Sequence, residues 1–250
     1  MNQELLESIR KAERDSHIEI YSTAKLFEEG SWLQKPVKTV MDLLPEFETY
    51  SKIKMLDLGC GVGRNCIPAA QYFTGKECSI DCIDILEFAI EELNENAKEF
   101  GVEKSINGMA VPIEQYKIQG NKYDFIFAVS ALEHIDSEES FIKKLSEIEK
   151  GIKENGIVCL IINSEVSEIN KNNGNRLNPQ FEVNLKTEKL SEILNKTFAD
   201  WKVLKYGVRN QRYDIPRNGC IAYLTTSVVT FAAKKKNSGL SVTSPHLSLL

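Results

Sequence analysis

A chain of 250 residues, 42% hydrophobic and 27% charged, carries enough apolar material for one large α/β core, which excludes a disordered or low-complexity protein. Its net charge of −5 provides no global field for a polyanion, so nucleic acid is not an expected partner. Six cysteines with no Cys-x-x-Cys pair, no uncharged apolar run near the ~18 residues of a membrane span and no basic, apolar leader point to a cytoplasmic protein with reduced thiols, no metal and no membrane contact.

Residues 2 to about 28 read as helical, with Leu5, Ile9 and Ala12 near one face. Ser31 to Pro36 breaks the pattern, and Pro36 to Leu44 makes another helix. The central stretch follows: Lys54-Met-Leu-Asp-Leu-Gly-Cys-Gly-Val-Gly-Arg-Asn65. Met55, Leu56 and Leu58 make a strand too apolar for a surface, as in a sheet covered on both faces. Gly59, Gly61 and Gly63 then let the backbone turn sharply and approach a ligand with no Cβ in the way. Arg64 to Phe73 opens a helix, with Pro68 tolerated in its first turn. Strand, glycine loop and helix N-terminus together make a nucleotide-binding crevice.

Spacing then selects the nucleotide. A dinucleotide fingerprint needs a small third residue where this chain has Arg64. A second strand, Cys78 to Ile85, ends on Asp84, near the roughly 20-residue offset at which Rossmann-type folds place a ribose-binding acid. Its two acceptor oxygens suit the two ribose hydroxyls. Glu87 to Ala97 is helical, Ile106 to Val111 a weak third strand, and Tyr123 to Ser130 a fourth, followed by Ala131-Leu-Glu-His-Ile135. An amphipathic helix over Phe141 to Lys153 leads into a fifth strand, Ile157 to Ile162. Asn163 to Asn178 reads as a polar loop covering the substrate side, and Leu185 to Phe198 as a helix. The strands Trp201 to Val208 and Ala222 to Ala233 are joined by Arg209 to Cys220, too short a link for a parallel crossover, so this pair is expected to be antiparallel. Asn237 to Leu250 reads as a loose tail.

Asp57-x-Gly59-x-Gly61-x-Gly63, followed by Asp84 and the Tyr123–Ile135 segment, resembles the motif order of the class I S-adenosylmethionine (SAM) dependent methyltransferases over residues 50 to 235. The nearest group is the tellurite-resistance methyltransferases, through Leu56-Asp-Leu-Gly-Cys-Gly-x-Gly-Arg-Asn65, Tyr123-Asp-Phe-Ile126, Phe181 and the final Val-Thr-Phe-x-Ala-Lys. That resemblance implies a Rossmann-like doubly wound sheet, mostly parallel with an antiparallel C-terminal hairpin strand and helices on both faces. It implies one domain over 1–236, with a helical lid over 1–50, a cofactor core over 51–165 and a substrate loop and hairpin over 166–236. SAM is the implied cofactor, with Asp57 meeting its ammonium group, Gly59, Cys60, Gly61 and Gly63 wrapping the methionine end, and Asp84 and Ile85 at the ribose. Met109 and Ala110 would floor the adenine, and Val129 would close the strand end beside the methyl group.

For the chemistry, Ser130, His134 and Arg212 are the candidate catalytic residues, His134 as a general base and Arg212 with Arg209 as anion holders. His134 and the arginines have structural counter-readings: His134 as a partly exposed helix-start residue, the arginines as solvated surface charges. Trp32 and Tyr21 are either aromatic cover for a sulfonium or packing on the sheet. Cys60 has no activating base near it and reads as structural. Two other functions stay open, a nucleotide-dependent oxidoreductase and a SAM-binding partner subunit without activity. The acceptor, a small molecule carrying a thiol, oxyanion, carboxylate or amine, and the oligomeric state are not specified by the residues.

Overall fold

The structure, a computed structural model, describes residues 6, 7, 9–11, 14, 25–217 and 219–237. Tyr21, most of the helix expected over 2–28 and the tail beyond 237 lie outside them. The described elements run α1 (Lys38–Leu43), β1 (Lys52–Leu58), α2 (Cys66–Tyr72), β2 (Glu77–Asp84), α3 (Glu87–Glu99), β3 (Ile106–Ala110), β4 (Tyr123–Val129), α4 (Glu138–Gly151), β5 (Ile152–Asn170), β6 (Arg176–Leu177), α5 (Thr187–Thr197), β7 (Lys202–Arg217) and β8 (Cys220–Lys234). One sheet carries the order β3-β2-β1-β4-β5-β8-β7, with β6 paired to β5. The pairs β1–β2, β2–β3, β1–β4 and β4–β5 are parallel, while β8 is antiparallel to both β5 and β7. This is the doubly wound sheet with an antiparallel end that the alternating pattern predicts.

Strand alternation divides the core. Ile53 and Met55 of β1 pack with Val40, Cys66, Ile67 and Leu93 on one side of the sheet. Leu56 and Leu58 pack with Phe141, Leu145, Leu190 and Leu194 on the other. Both faces are thus covered, which is why β1 and β4 are apolar nearly throughout. From β1 the chain winds outward through β2 and β3, and from β4 in the other direction through β5. The carboxyl ends of β1 and β4 therefore bound the crevice where the order reverses.

Three elements differ from expectation. α1 stops at Leu43 and passes into a 3₁₀ turn over Leu44–Phe47, because Pro45 has no N–H to continue an α-helix. β5 runs on to Asn170 through residues that read as a polar loop. Its polar side chains are satisfied across the ladder: Ser164 Oγ donates to the Ser227 carbonyl at 2.6 Å and Thr226 Oγ1 to Asn163 Oδ1 at 3.1 Å. A register shift between Ser164 and Ser167, with Glu165 at φ 51°, accommodates the turn of the strand. The link expected over Arg209–Cys220 is largely strand too, since β7 and β8 stay paired from Lys202↔Lys234 to Arg217↔Cys220.

Candidate functional site

The glycine loop leaves β1 and is clamped to the end of β2. Gly59 N and Cys60 N donate to the Ile83 carbonyl at 2.8 and 3.0 Å. Gly61 N donates to Asp84 Oδ2 at 2.8 Å, and Leu86 N to Asp84 Oδ1 at 3.0 Å. The acid expected near the ribose thus also fixes the loop. Gly59 and Gly63 have different reasons for lacking a Cβ. At Gly59 (φ +78°) a Cβ would lie 2.2 Å from Ala131 Cβ, so β1 and β4 can close on each other only through a glycine. At Gly63 (φ +102°) it would lie 2.6 Å from Ile67 Cδ1 and 2.8 Å from Leu93 Cδ1, which is packing of the loop onto α2 and α3. Gly59→Ala is expected to cost about 1–2 kcal/mol in backbone conformation and about 1–3 kcal/mol in overlap. Urea denaturation alongside SAM titration checks it; unchanged stability and unchanged affinity together would show that β4 gives way freely.

A cavity of about 1040 Å³ opens where these strands end. Gly59, Cys60, Gly61, Asp84, Ile85, Val129, Ser130 and His134 line it, so eight of the residues singled out in the sequence meet at one surface. Five do not line it. Asp57 points to the covered face under the loop, and Gly63 packs against helices. Met109 and Ala110 are bypassed, and the wall at that end is made by Pro112, Ile113 and Glu114 instead. Arg212 faces away, its guanidinium 3.7 Å from the centroid of the Tyr223 ring. Lys205, Gly207, Arg209, Gln211, Tyr213 and Ile215, of one strand phase of β7, line the cavity; of the opposite phase Val208 and Asp214 also reach it, while Arg212 stacks on Tyr223 instead. Trp32 lines the cavity while 48% exposed; Arg64 donates to its carbonyl at 2.9 Å and lies 4.9 Å from its ring centroid.

Beneath the loop the electrostatics are unusual. Asp57 is 1% exposed, and apart from the neighbouring Cys66 thiol its carboxyl has no hydrogen-bond partner among the described residues. Burial, and then the nearby Asp84 carboxylate, push its pKa up to about 8. The thiols of Cys60, Cys66 and Cys82 are buried around it, and their pKa values are raised, for Cys60 and Cys82 chiefly by burial and for Cys66 chiefly by its hydrogen bond with Cys82. A thiol held in that form is a poor nucleophile, which agrees with a structural part for Cys60. No group of His, Cys, Asp and Glu among the described residues has the arrangement of a metal site.

Across the cavity, His134 is not a solvated helix-start residue. Its Nδ1 lies 3.0 Å from Glu182 Oε2, and its ring lies against Phe181 with centroids 4.9 Å apart. The Glu182 side chain is 1% exposed. A carboxylate only accepts, so Nδ1 carries a hydrogen in this contact. Next in the chain, Glu133 is fully buried, accepts from Asn163 N and Nδ2, and has its pKa raised by burial. Arg10 reaches in from the N-terminal segment to Glu114 Oε1 at 2.6 Å. Glu182, Asn163, Arg10 and Glu114 carried no signal in the sequence. Glu182 is 48 positions from His134, in a stretch with no motif. Arg10 sits among ordinary helix charges.

A methyltransferase-domain family model matches residues 50–201. A ubiquinone biosynthesis O-methyltransferase of Rickettsia canadensis is 36% identical over 116 residues, which are 46% of this chain and 44% of that one. A sterol 24-C-methyltransferase of Debaryomyces hansenii is 26% identical over 115 residues, 46% of this chain and 29% of the relative. The chain thus spans less than half the length of these curated relatives. Among solved structures, TehB from Haemophilus influenzae superposes with a TM-score of 0.57 at 20% identity, covering 78% of this chain and 62% of that one. The [4+2]-cyclase SpnF gives 0.56 at 17%, covering 83% and 84%. These two likenesses concern the fold alone. With the family model spanning the glycine loop, Asp84 and the His134 segment, the chain belongs to the methyltransferase domain family.

Proposed function

We propose that this protein transfers the methyl group of S-adenosyl-L-methionine to a hydroxyl of a small molecule, with His134 as the base that takes the hydroxyl proton. The observation that carries this reading is the His134–Glu182 pair on the wall of the cavity that the glycine loop also lines. The sulfonium supplies an already activated methyl group. The protein's work is then to hold the acceptor oxygen in line, exclude water and receive one proton. A thiolate or carboxylate acceptor would leave an oriented imidazole without a task, whereas a neutral hydroxyl gives it one. The O-methyltransferase relatives support the same acceptor class, and the net charge of −5 supports a small molecule over nucleic acid.

The residues fit the cofactor on two counts. Gly61 presents its backbone beside Asp84, whose carboxylate suits a ribose diol, and Asp57, though not on the cavity wall, is a buried carboxyl just under the loop with only the Cys66 thiol beside it, where an ammonium group above the loop would lend it charge compensation. Cys60, Ile85 and Val129 complete that wall, with Pro112 and Ile113 taking the adenine in place of Met109 and Ala110. Gly63 shapes the loop from behind. Ser130, held at φ 50° with its N–H on the Ile161 carbonyl at 2.8 Å, borders the acceptor. Residues 1–236 work as one domain, and Arg10, Arg14, Trp32 and Leu33 of the proposed 1–50 cover line the cavity. No described helix is long and apolar enough to cross a membrane, and the reduced thiols support a place in the cytoplasm.

The test is a screen of phenolic and aliphatic hydroxyls, thiols, carboxylates and amines for S-adenosylhomocysteine release. Asp84→Ala serves as the blank, expected to lose at least about 100-fold in SAM affinity because it removes the ribose acceptor and the loop clamp together. Turnover confined to thiols or carboxylates would overturn the hydroxyl assignment. Failure of SAM to raise the thermal midpoint at saturation would overturn the whole reading.

A further inference from the structure

We infer that the methyl acceptor is a hydroxy acid, whose hydroxyl meets His134 and whose carboxylate is held over Gly207, between Lys205 and Arg209. The inference deepens the methyltransferase reading and rests on it for the hydroxyl. The carboxylate is an anchor and is not the group methylated. Its first support is the charge of the cavity. In a chain of net charge −5, the cavity wall carries six cationic side chains against four carboxylates among the described residues.

Most of these charges are already engaged. Arg10 holds Glu114 at 2.6 Å and lies 3.7 Å from Glu182, Lys38 is paired with Asp42 at 2.6 Å, and Asp214 with Lys171 at 2.8 Å. Asp84 accepts from the glycine loop, and Arg64 donates to the Trp32 carbonyl. Lys205 and Arg209 differ from these. The Lys205 ammonium donates to the Thr39 hydroxyl at 2.9 Å, a neutral partner that fixes the amine and leaves its charge uncompensated. Arg209, on the same wall, is in no ion pair among the described residues.

Lys205, Gly207 and Arg209 lie at alternate positions of β7 and share its cavity face. A Cβ on Gly207 would meet nothing within 4 Å, so the space over it is open, and an anion placed there has an ammonium on one side and a guanidinium on the other. The sheet sets the distance to the chemistry. Val129, Ile161, Thr230 and Gly207 are paired in one row across β4, β5, β8 and β7. At the usual strand spacing that row spans roughly 14 Å, and Val129 is the last residue of β4, next to Ser130. The floor between the two ends is apolar, with Ile161, Val228 and Leu224 lining it and Phe181 beside His134. An apolar body with a hydroxyl at one end and a carboxylate at the other matches this wall, whereas a neutral alcohol would use neither cation.

The test reads binding rather than turnover. The probes are para-hydroxyphenylacetate, para-hydroxycinnamate and ω-hydroxydecanoate, each beside its methyl ester, titrated by saturation-transfer NMR with S-adenosylhomocysteine at saturation. At least one acid is expected to bind about tenfold or more tighter than its ester, as one charge-assisted contact allows. Arg209→Gln is expected to remove most of that preference and leave the ester's affinity within about twofold, a split that damage to the fold would not produce. Arg209→Lys keeps the charge and should keep part of the preference, and Lys205→Gln should reduce it. Arg14→Gln, at the remaining cation of the wall, and Arg212→Gln, on the far side of β7, should leave it as in the wild type. Equal binding of every acid and its ester, or a preference that outlasts Arg209→Gln or disappears in Arg14→Gln, would overturn the inference. Acid-selective binding with no S-adenosylhomocysteine release from any hydroxyl would instead strike the hydroxyl reading of the methyl acceptor, while the carboxylate subsite stands.

Discussion

Asp57→Asn is expected to make the protein more stable and a poorer binder of SAM at once. The Asp57 carboxyl titrates near 8 in the fold, against the ordinary 3.8 of an exposed aspartate. A raised carboxyl pKa means that the unfolded chain releases this proton first. Stability from this group is therefore whole below about pH 4 and is drained as pH rises, until the loss is complete above about pH 8. Each tenfold change in proton affinity is about 1.4 kcal/mol, so the burden at pH 8 is several kcal/mol. Asparagine removes it and incurs about 1–3 kcal/mol for an unpartnered amide. The net gain of a few kcal/mol should raise the thermal midpoint by about 5 °C or more at pH 8 and give way near pH 4, where the burden is absent, to the amide's cost alone. SAM affinity should fall about tenfold or more, because an amide cannot offset an ammonium charge. Calorimetric unfolding at pH 4 and pH 8 measures the first effect and SAM titration the second. A midpoint that falls at pH 8 would show that Asp57 is ionised and satisfied in the fold.

His134→Gln is expected to lower turnover on a hydroxyl acceptor by about 100- to 10,000-fold, the range for loss of a positioned general base. SAM affinity should stay within about threefold, since the imidazole belongs to the acceptor half of the cavity. Glu182→Gln should give a smaller loss, because the amide can still hold the ring but no longer requires the hydrogen on Nδ1. Steady-state kinetics with the acceptor found by the screen, beside SAM titration of the same preparations, separates the effects. A fall in turnover of less than fivefold in His134→Gln would remove the base from the mechanism.

The fold was readable because its signals are local. Met55, Leu56 and Leu58 in one run imply a strand covered on both faces, and each face is indeed filled by helices. Alternation of such strands with helices implies a parallel sheet, and the short gap before the last strand implies its reversal. The extension of β5 to Asn170 was hidden because its polar residues are satisfied by β8, a partner more than 50 positions away that no window along the chain contains.

What the amino-acid order determined by itself was the meeting of the glycine loop with the acid at the next strand end, the half of the site proposed for the cofactor. Three glycines, an acid ahead of them and an acid at the next strand end are held at fixed offsets by backbone geometry, and Gly59, Gly61 and Asp84 meet as that geometry requires. The acceptor half was decided only in three dimensions. Whether Arg209 or Arg212 faces the cavity depends on the phase of β7 against β8, which a single residue of register reverses. Asp57 became a neutral, buried carboxyl because of what packs over β1, which its place in the motif does not state. His134 acquired Glu182, and Glu182 acquired Arg10, through contacts between segments joined by long stretches of chain. Such contacts are set by how the elements close around a cavity, and no spacing rule along the sequence encodes them.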